Sequence, residues 1–245
     1  MSVSSDLIIL ESKNRSSGSI NSFKISLPEI TTNGTYLFTS FSMTNNLYNV
    51  VSGENNKIYI NHSVDGDQVL TLTPGNYTEN DLIVEIKTQL DSISAVVYTV
   101  TYSDTTGKLT ISPDSGNIYF TFGTNTTDSA RVLMGFNESD GIAAASQISD
   151  NPIDIKLHDY IVLKIIQDGY QYVTLNGGTE ASVIIPIDGN IAFGGAIHYT
   201  NNLNYAQYFK FSSALTSLDI ELYASDGDML DTNGTEFAFS MKRIF

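Results

Sequence analysis

Regular punctuation limits the folds open to this sequence. Short runs that alternate apolar and polar residues recur about every ten positions, and Pro, Gly, Asn or Asp stops each one. A period of two sends successive side chains to opposite faces of an extended chain, so each run is a strand with one face to bury. Phe23-Lys-Ile-Ser-Leu27 stops at Pro28. The run 35–43 follows an Asn33-Gly34 turn, carries Tyr36, Phe38 and Phe41, and breaks at Asn45-Asn46. Residues 57–61 lead through Asp65-Gly66-Asp67 into 68–73. Later strands are expected at 160–167, an apolar run that reads as buried on both faces, and at 181–187, 205–211, 218–223 and 237–244. Many short strands joined by turns bury their faces by packing two antiparallel sheets together or closing a barrel.

The rhythm changes once, at Pro74-Gly75. Thr78 is placed as a helix N-cap, with Asp81 three residues on in a near capping box. Leu82, Ile83, Ile86, Leu90 and Ile93 then recur at helical spacing, which predicts a helix over about 79–93. A hairpin is expected at about 97–112, with Gly107 supplying the positive φ of its loop, and a third strand at 117–122. Residues 129–134 read as a short helix ended by Gly135, and Ala143-Ala-Ala-Ser146 as a mobile linker.

The expected organisation is therefore all-β. A single jelly-roll sandwich of two antiparallel sheets would span 1–73 and 150–245, interrupted by an inserted α+β subdomain at 74–149. About eight or nine strands suit a jelly roll, and a nine-strand immunoglobulin-like sandwich fits the same count. Residues 1–22, rich in Ser, Asn and Gly, read as an N-terminal arm that orders on assembly.

Composition narrows the function. Charged residues are 16% of the chain, and Ser, Thr and Asn (28, 24 and 21 residues) carry the polar surface instead. The net charge of −15 repels phosphates, so no nucleic-acid partner is expected. The absence of cysteine removes disulfides, thiolate metal sites and a Cys nucleophile. The N-terminus lacks the layout of a signal peptide, and no apolar stretch approaches the ~20 residues of a membrane span. Asn-x-Ser/Thr triplets such as those at Asn33, Asn61, Asn76 and Asn233 therefore read as products of composition.

No catalytic, cofactor-binding or metal-binding residue is assigned. His62, His158 and His198 share no metal-ligand spacing. Gly177-Gly178 and Gly194-Gly195 lack the remainder of a phosphate loop and read as turns. Asp226, Asp228, Asp231 and Asn233 crowd oxygens into one loop, but Leu230 interrupts the EF-hand spacing. Capping of their own turn is preferred there, as it is for Asp65 and Asp67. Tyr170, Tyr172 and Tyr205 are candidate sugar platforms that read more readily as strand or interface residues.

Several segments together resemble a known family. They are Ser12-Lys-Asn-Arg-Ser-Ser-Gly-Ser-Ile-Asn-Ser-Phe23 with Leu27-Pro28, then Asn45-Asn-Leu-Tyr-Asn-Val50, then Leu72-Thr-Pro-Gly-Asn-Tyr-Thr78 with the helix and hairpin that follow. Leu133-Met-Gly-Phe136 and the closing stretch from Leu222 to Phe239 complete the set. In order, and with gaps around 140–215, these resemble penton or related minor capsid proteins of the virophage and polinton-like virus lineage. That resemblance implies a non-enzymatic structural virion protein, a single jelly roll with an insertion. It would assemble as a homopentamer at icosahedral vertices and contact the major capsid protein. It would be put together in the host cytoplasm, with the insertion as a possible host-receptor surface. A carbohydrate- or receptor-binding module, such as a spike or lectin-like sandwich, is the alternative reading.

Overall fold

The computed structural model describes residues 7–27, 34–93, 95–156, 158–166, 182–187, 191–201, 208–211 and 216–244. Its strands and helix follow in this order: β1 (Leu7–Glu11), β2 (Ser17–Gly18), β3 (Ser22–Ser26), β4 (Gly34–Thr44), β5 (Lys57–His62), β6 (Gly66–Thr71), α1 (Glu79–Ile93), β7 (Tyr98–Tyr102), β8 (Leu109–Pro113), β9 (Ile118–Phe120), β10 (Gln147–Ile148), β11 (Tyr160–Ile166), β12 (Ser182–Pro186), β13 (Ala196–Thr200), β14 (Tyr208–Phe211), β15 (Ser217–Tyr223) and β16 (Phe237–Ile244). The chain divides into two compact units, Met1–Leu47 with His158–Phe245, and Tyr48–Leu157.

The first unit is a jelly-roll sandwich. One antiparallel sheet runs β1-β16-β4, with β13 and β14 end to end along the far edge of β4. The second runs β12-β11-β15-β3-β2. Alternate residues from both sheets meet in one core. Phe38, Phe41, Phe237 and Phe239 come from the first sheet, and Phe23, Ile161, Leu163, Ile165 and Ile220 from the second. Phe23 lies 5.7 Å from Phe237 across the sandwich, a tilted aromatic pair of the favoured kind. In β4 the buried positions are Tyr36, Phe38, Phe41 and Met43, so the spacing jumps from two to three. The pairing with β16 shifts there: Ser240 faces Ser40 while Met241 faces Phe38, leaving Thr39 extra. That β-bulge keeps all four side chains on the core face.

Three expectations change in this unit. The run in β11 buries only one face: Ile161, Leu163 and Ile165 are inside, Val162 and Lys164 are half-buried, and Ile166 is exposed. The described part of the expected N-terminal arm belongs to the sheets, since β1 pairs β16 from Leu7–Lys242 to Glu11–Ala238 and β2 pairs β3. Strands β1, β2 and β13 carried no recognised signal; β1 was too short a run, and β2 is only two residues long.

The second unit is α+β. The Thr78 hydroxyl accepts from the Asp81 amide at 3.3 Å, the cap expected for a helix beginning at Glu79. Leu82, Ile86 and Leu90 bury one stripe of α1 against a core that includes Ile58, Leu72, Tyr98, Ile111 and Phe120. Two three-stranded sheets, β6-β5-β9 and β10-β8-β7, supply the remainder. The unit begins earlier and ends later than the expected 74–149. Hairpin β5–β6 belongs to it because β5 also pairs β9, and because Ile58, Ile60, Leu70 and Leu72 fill its core. Ser129 bridges Lys57 and residues 130–134 form turns, with one helix-like bond from the Met134 amide to the Ala130 carbonyl, before Gly135 at φ +77°. The expected linker is pinned: the Ala144 amide donates to the Ile118 carbonyl and the Gly141 amide to that of Phe120, while Gln147 Nε2 bonds the carbonyls of Ile118 and Ile142.

Candidate functional site

The three histidines stand apart. His62, on β5, is fully buried. Its Nδ1 lies 2.9 Å from Asp65 Oδ2 and its Nε2 2.9 Å from the Ser115 carbonyl, so it ties the β5–β6 turn to the loop before β9. His158 Nδ1 lies 3.9 Å from Asp226 Oδ2. Burial lowers its pKa below the usual histidine value, and the Asp226 charge opposes that shift. His198 is exposed on β13, with Nε2 3.0 Å from the Thr200 hydroxyl.

The acidic loop caps itself. Asp226 accepts from the Asp228 amide at 3.0 Å and Asp231 from the Asn233 amide at 2.8 Å, while Asn233 Nδ2 donates to the Asn46 carbonyl at 2.7 Å. The bonds of Asp226 and Asp231 are of the Asx-turn kind, so both carboxylates serve backbone amides of their own loop. Asp67 accepts from Asn61 Nδ2 at 2.7 Å. Among the described residues no three His, Cys, Asp or Glu side chains converge as a metal site would require. Gly194 and Gly195 form a turn, with the Gly195 amide donating to the Ala192 carbonyl. Gly177, Gly178, Tyr170, Tyr172, Tyr205 and Asn33 lie outside the described residues.

Two other carboxylates are held in their charged form. Asp140 accepts the Thr124 hydroxyl and the amides of Thr124 and Gly123, which together hold its carboxyl below the usual range. Burial pushes the Glu236 carboxyl up, but hydrogen bonds from Ser12 and Arg15 outweigh it and leave it lowered. Glu236 lines an open depression of about 260 Å³ with Glu11, Lys13, Ser42, Thr44 and Ala196. A second, of about 230 Å³, is lined by Ser17, Ser22, Lys24, Asp219 and Glu221. Both are open and lined by polar and apolar groups in similar measure, unlike the enclosed, mostly apolar pockets that bind small ligands.

The surfaces of the sandwich are more informative. On the outer face of β11 and β15, Lys164 sits 4.2 Å from the centre of the Tyr223 ring, whose hydroxyl donates to Glu221 at 2.8 Å. Lys24 pairs Asp219 at 3.6 Å. That face satisfies its own charges. The outer face of the first sheet differs. Leu7 and Ile9 on β1 are 52% and 64% exposed, and Ile244 on β16 is 38% exposed. On β12, Ile184 is 51% exposed. In the inserted unit, Ile142 is 88% exposed on the pinned segment. Sequence reading passed over Leu7, Ile9 and Ile184, because strand alternation shows which residues share a face but not which face stays exposed.

No family model and no curated protein matches the chain. Solved structures do. The mavirus penton protein superposes with a TM-score of 0.50 at 13% identity, covering 96% of each chain. A chain from the cryo-electron microscopy structure of the Sputnik virophage superposes with a TM-score of 0.51 at 13% identity, covering 98% of each. At this identity the likeness is one of fold, and it extends over the sandwich and the insertion alike. The resemblance to virophage pentons drawn from the sequence motifs is borne out at that level.

Proposed function

We propose that the chain is a structural protein of a virion, a penton capsomer that closes the five-fold vertices of an icosahedral capsid as a homopentamer. The observation that carries this reading is the end-to-end sharing of fold with the mavirus penton protein, insertion included, at 96% coverage of both chains. Its chemistry is assembly and not catalysis: the acidic groups described above cap turns or pair with neighbours. The jelly-roll unit would contact its own copies and the neighbouring major capsid protein. The inserted unit, with Ile142 presented on a pinned segment, is the proposed surface for a host ligand. Assembly in the host cytoplasm suits a cysteine-free chain.

Light scattering behind a sizing column tests this directly. The expected mass is five times 26.8 kDa. A stable dimer or trimer over a range of concentration and salt would overturn the vertex assignment.

A further inference from the structure

A five-fold ring is built from a heterologous contact, in which two different patches of the same chain meet around the axis. One such patch lies on the outer face of the first sheet. Leu7 of β1 and Lys242 of β16 stand opposite each other in register, and Ile9 stands opposite Ser240 on the same face. Ile244 follows Lys242 two residues on, and so shares that face. Leu7, Ile9, Lys242 and Ile244 are all exposed. Lys13, Arg15, Lys24, Lys87 and Arg131 each hold a carboxylate of their own chain. Acidic residues outnumber basic ones 27 to 12, yet no described residue pairs with Lys242. An exposed apolar patch marks a contact surface, and a cation left unpaired within it selects a partner that brings a carboxylate.

The other end of the same sheet carries a feature of that chemistry. In the loop before β16, Met229 is 44% exposed, next to Asp228. Leu230 beside it is buried, and its amide donates to the Leu222 carbonyl, so the loop is anchored beneath Met229. The Asp228 amide and carbonyl are bonded within the loop, but its carboxylate meets no described residue. The two patches are far apart on one copy. Asn233 Nδ2 donates to the Asn46 carbonyl, so the loop lies just past the Thr44 end of β4. Lys242 pairs Leu37 and Ile244 pairs Thr35, near the Gly34 end. The strand between Leu37 and Thr44 spans roughly 20–25 Å. A copy therefore cannot cover its own patch with its own loop, whereas a neighbouring copy can.

We infer that the ring is closed by the loop of one copy seating on the β1–β16 face of the next, with Met229 packed among Leu7, Ile9 and Ile244 and Asp228 paired to Lys242. This rests on the pentamer reading and assigns its interface. In a chain of net charge −15, identical copies repel unless a contact brings opposite charges together, and this contact does so. Burial of the four apolar side chains supplies attraction, and the ion pair fixes which surfaces meet.

The native chain has no cysteine, so cross-linking has no background thiols. Met229→Cys is combined with Leu7→Cys in one double variant and with Ile9→Cys in another. Each is oxidised at a concentration where the parent is pentameric, after a melting curve confirms that it folds as the parent does. The expected result is a ladder of covalent multimers ending at five in at least one double variant, with no cross-link in any single variant. Dimers from a single variant would show like patches meeting and overturn the inference. So would a pentameric parent whose double variants never cross-link. Charge reversal tests the ion pair separately. Lys242→Glu should shift the scattering mass from five copies to one, and adding Asp228→Lys should return it to five. A folded K242E that stays pentameric, or a folded K242E/D228K that stays monomeric, overturns the inference while leaving the vertex reading intact. A parent that never reaches five copies overturns that reading first, and the inference with it.

Discussion

The two units bury cores of the same kind but recruit their strands differently. In the jelly roll, the central strand β4 pairs β16, so that Phe41 faces Phe239 from the far end of the chain. In the inserted unit, β5 and β6 are a hairpin through a three-residue turn, and β7 and β8 are another around Gly107. The sandwich depends on contacts that close very long loops, while the insert is made largely from neighbours in sequence. Two cores with no shared residue should also lose stability separately.

The largest effects should come from breaking each core. Phe38→Ala removes a fully buried ring packed on Phe239, and Phe120→Ala one that contacts both Phe122 and Phe136. Each should cost about 3–5 kcal/mol. In a calorimetric scan, F38A should lower one transition and F120A the other. If both variants move a single shared transition, the two units are one cooperative body and the comparison fails.

Glycine substitutions give a smaller and more local contrast. Gly18 (φ +95°) and Gly135 (φ +77°) would each place a Cβ 2.3 Å from a backbone carbonyl, that of Ser22 in the sandwich and that of Asn151 in the insert. Gly53 has φ +80° with nothing within 4 Å. Gly53→Ala should cost about 1–2 kcal/mol, from the left-handed backbone alone. G18A and G135A should cost more by the clash, read as the displacement of the denaturant midpoint beyond that of G53A. Equal midpoints for all three variants would mean that the loops give way, and that backbone proximity contributes nothing.

The same difference in recruitment explains what the sequence made legible. The helix was readable because Thr78, Asp81 and the Leu82-to-Ile93 stripe are all local signals. So was the hairpin around Gly107, where Val100 pairs Ile111. Most sandwich strands were recognised by alternation, but their partners were not: nothing in 34–44 indicates that β16 and β13 flank it. The odd spacing between Phe38 and Phe41 is a bulge that becomes visible only once β16 is set beside it. The hairpin 57–71 looked like sandwich because it alternates like sandwich. Its allegiance is settled by β9, whose Phe120 pairs Ile60 from 60 residues further on.

Helix capping sharpens the local side of the comparison. Thr78→Ala removes the acceptor for the Asp81 amide and should cost about 1 kcal/mol. The loss should appear in the transition that F120A moves, and Thr78→Ser should restore most of it. A T78A variant that melts as the parent does would place the helix start under tertiary packing alone.

The smallest expected effects are in pH, and they separate the units by where they fall on the scale. In the sandwich, burial holds His158 below its ordinary 6.5. The unfolded chain therefore takes up that proton before the folded one does. Stability from this group is complete above about pH 6.5 and is lost as pH falls through the lower folded value. In the insert, the Thr124 and Gly123 hydrogen bonds hold Asp140 below its ordinary 3.8. Its contribution is complete above that value and is lost only as pH falls further, through the folded pKa. Lowering the pH from 7 to 5 should thus bring a decline in the sandwich transition that His158→Gln flattens and Asp140→Asn leaves in place. Below pH 4, Asp140→Asn should flatten part of the decline of the insert transition, while His158→Gln leaves it untouched. If H158Q shows the same decline between pH 7 and 5 as the parent, the histidine beside Asp226 is not its source, and another group of the sandwich carries the acid sensitivity in that range.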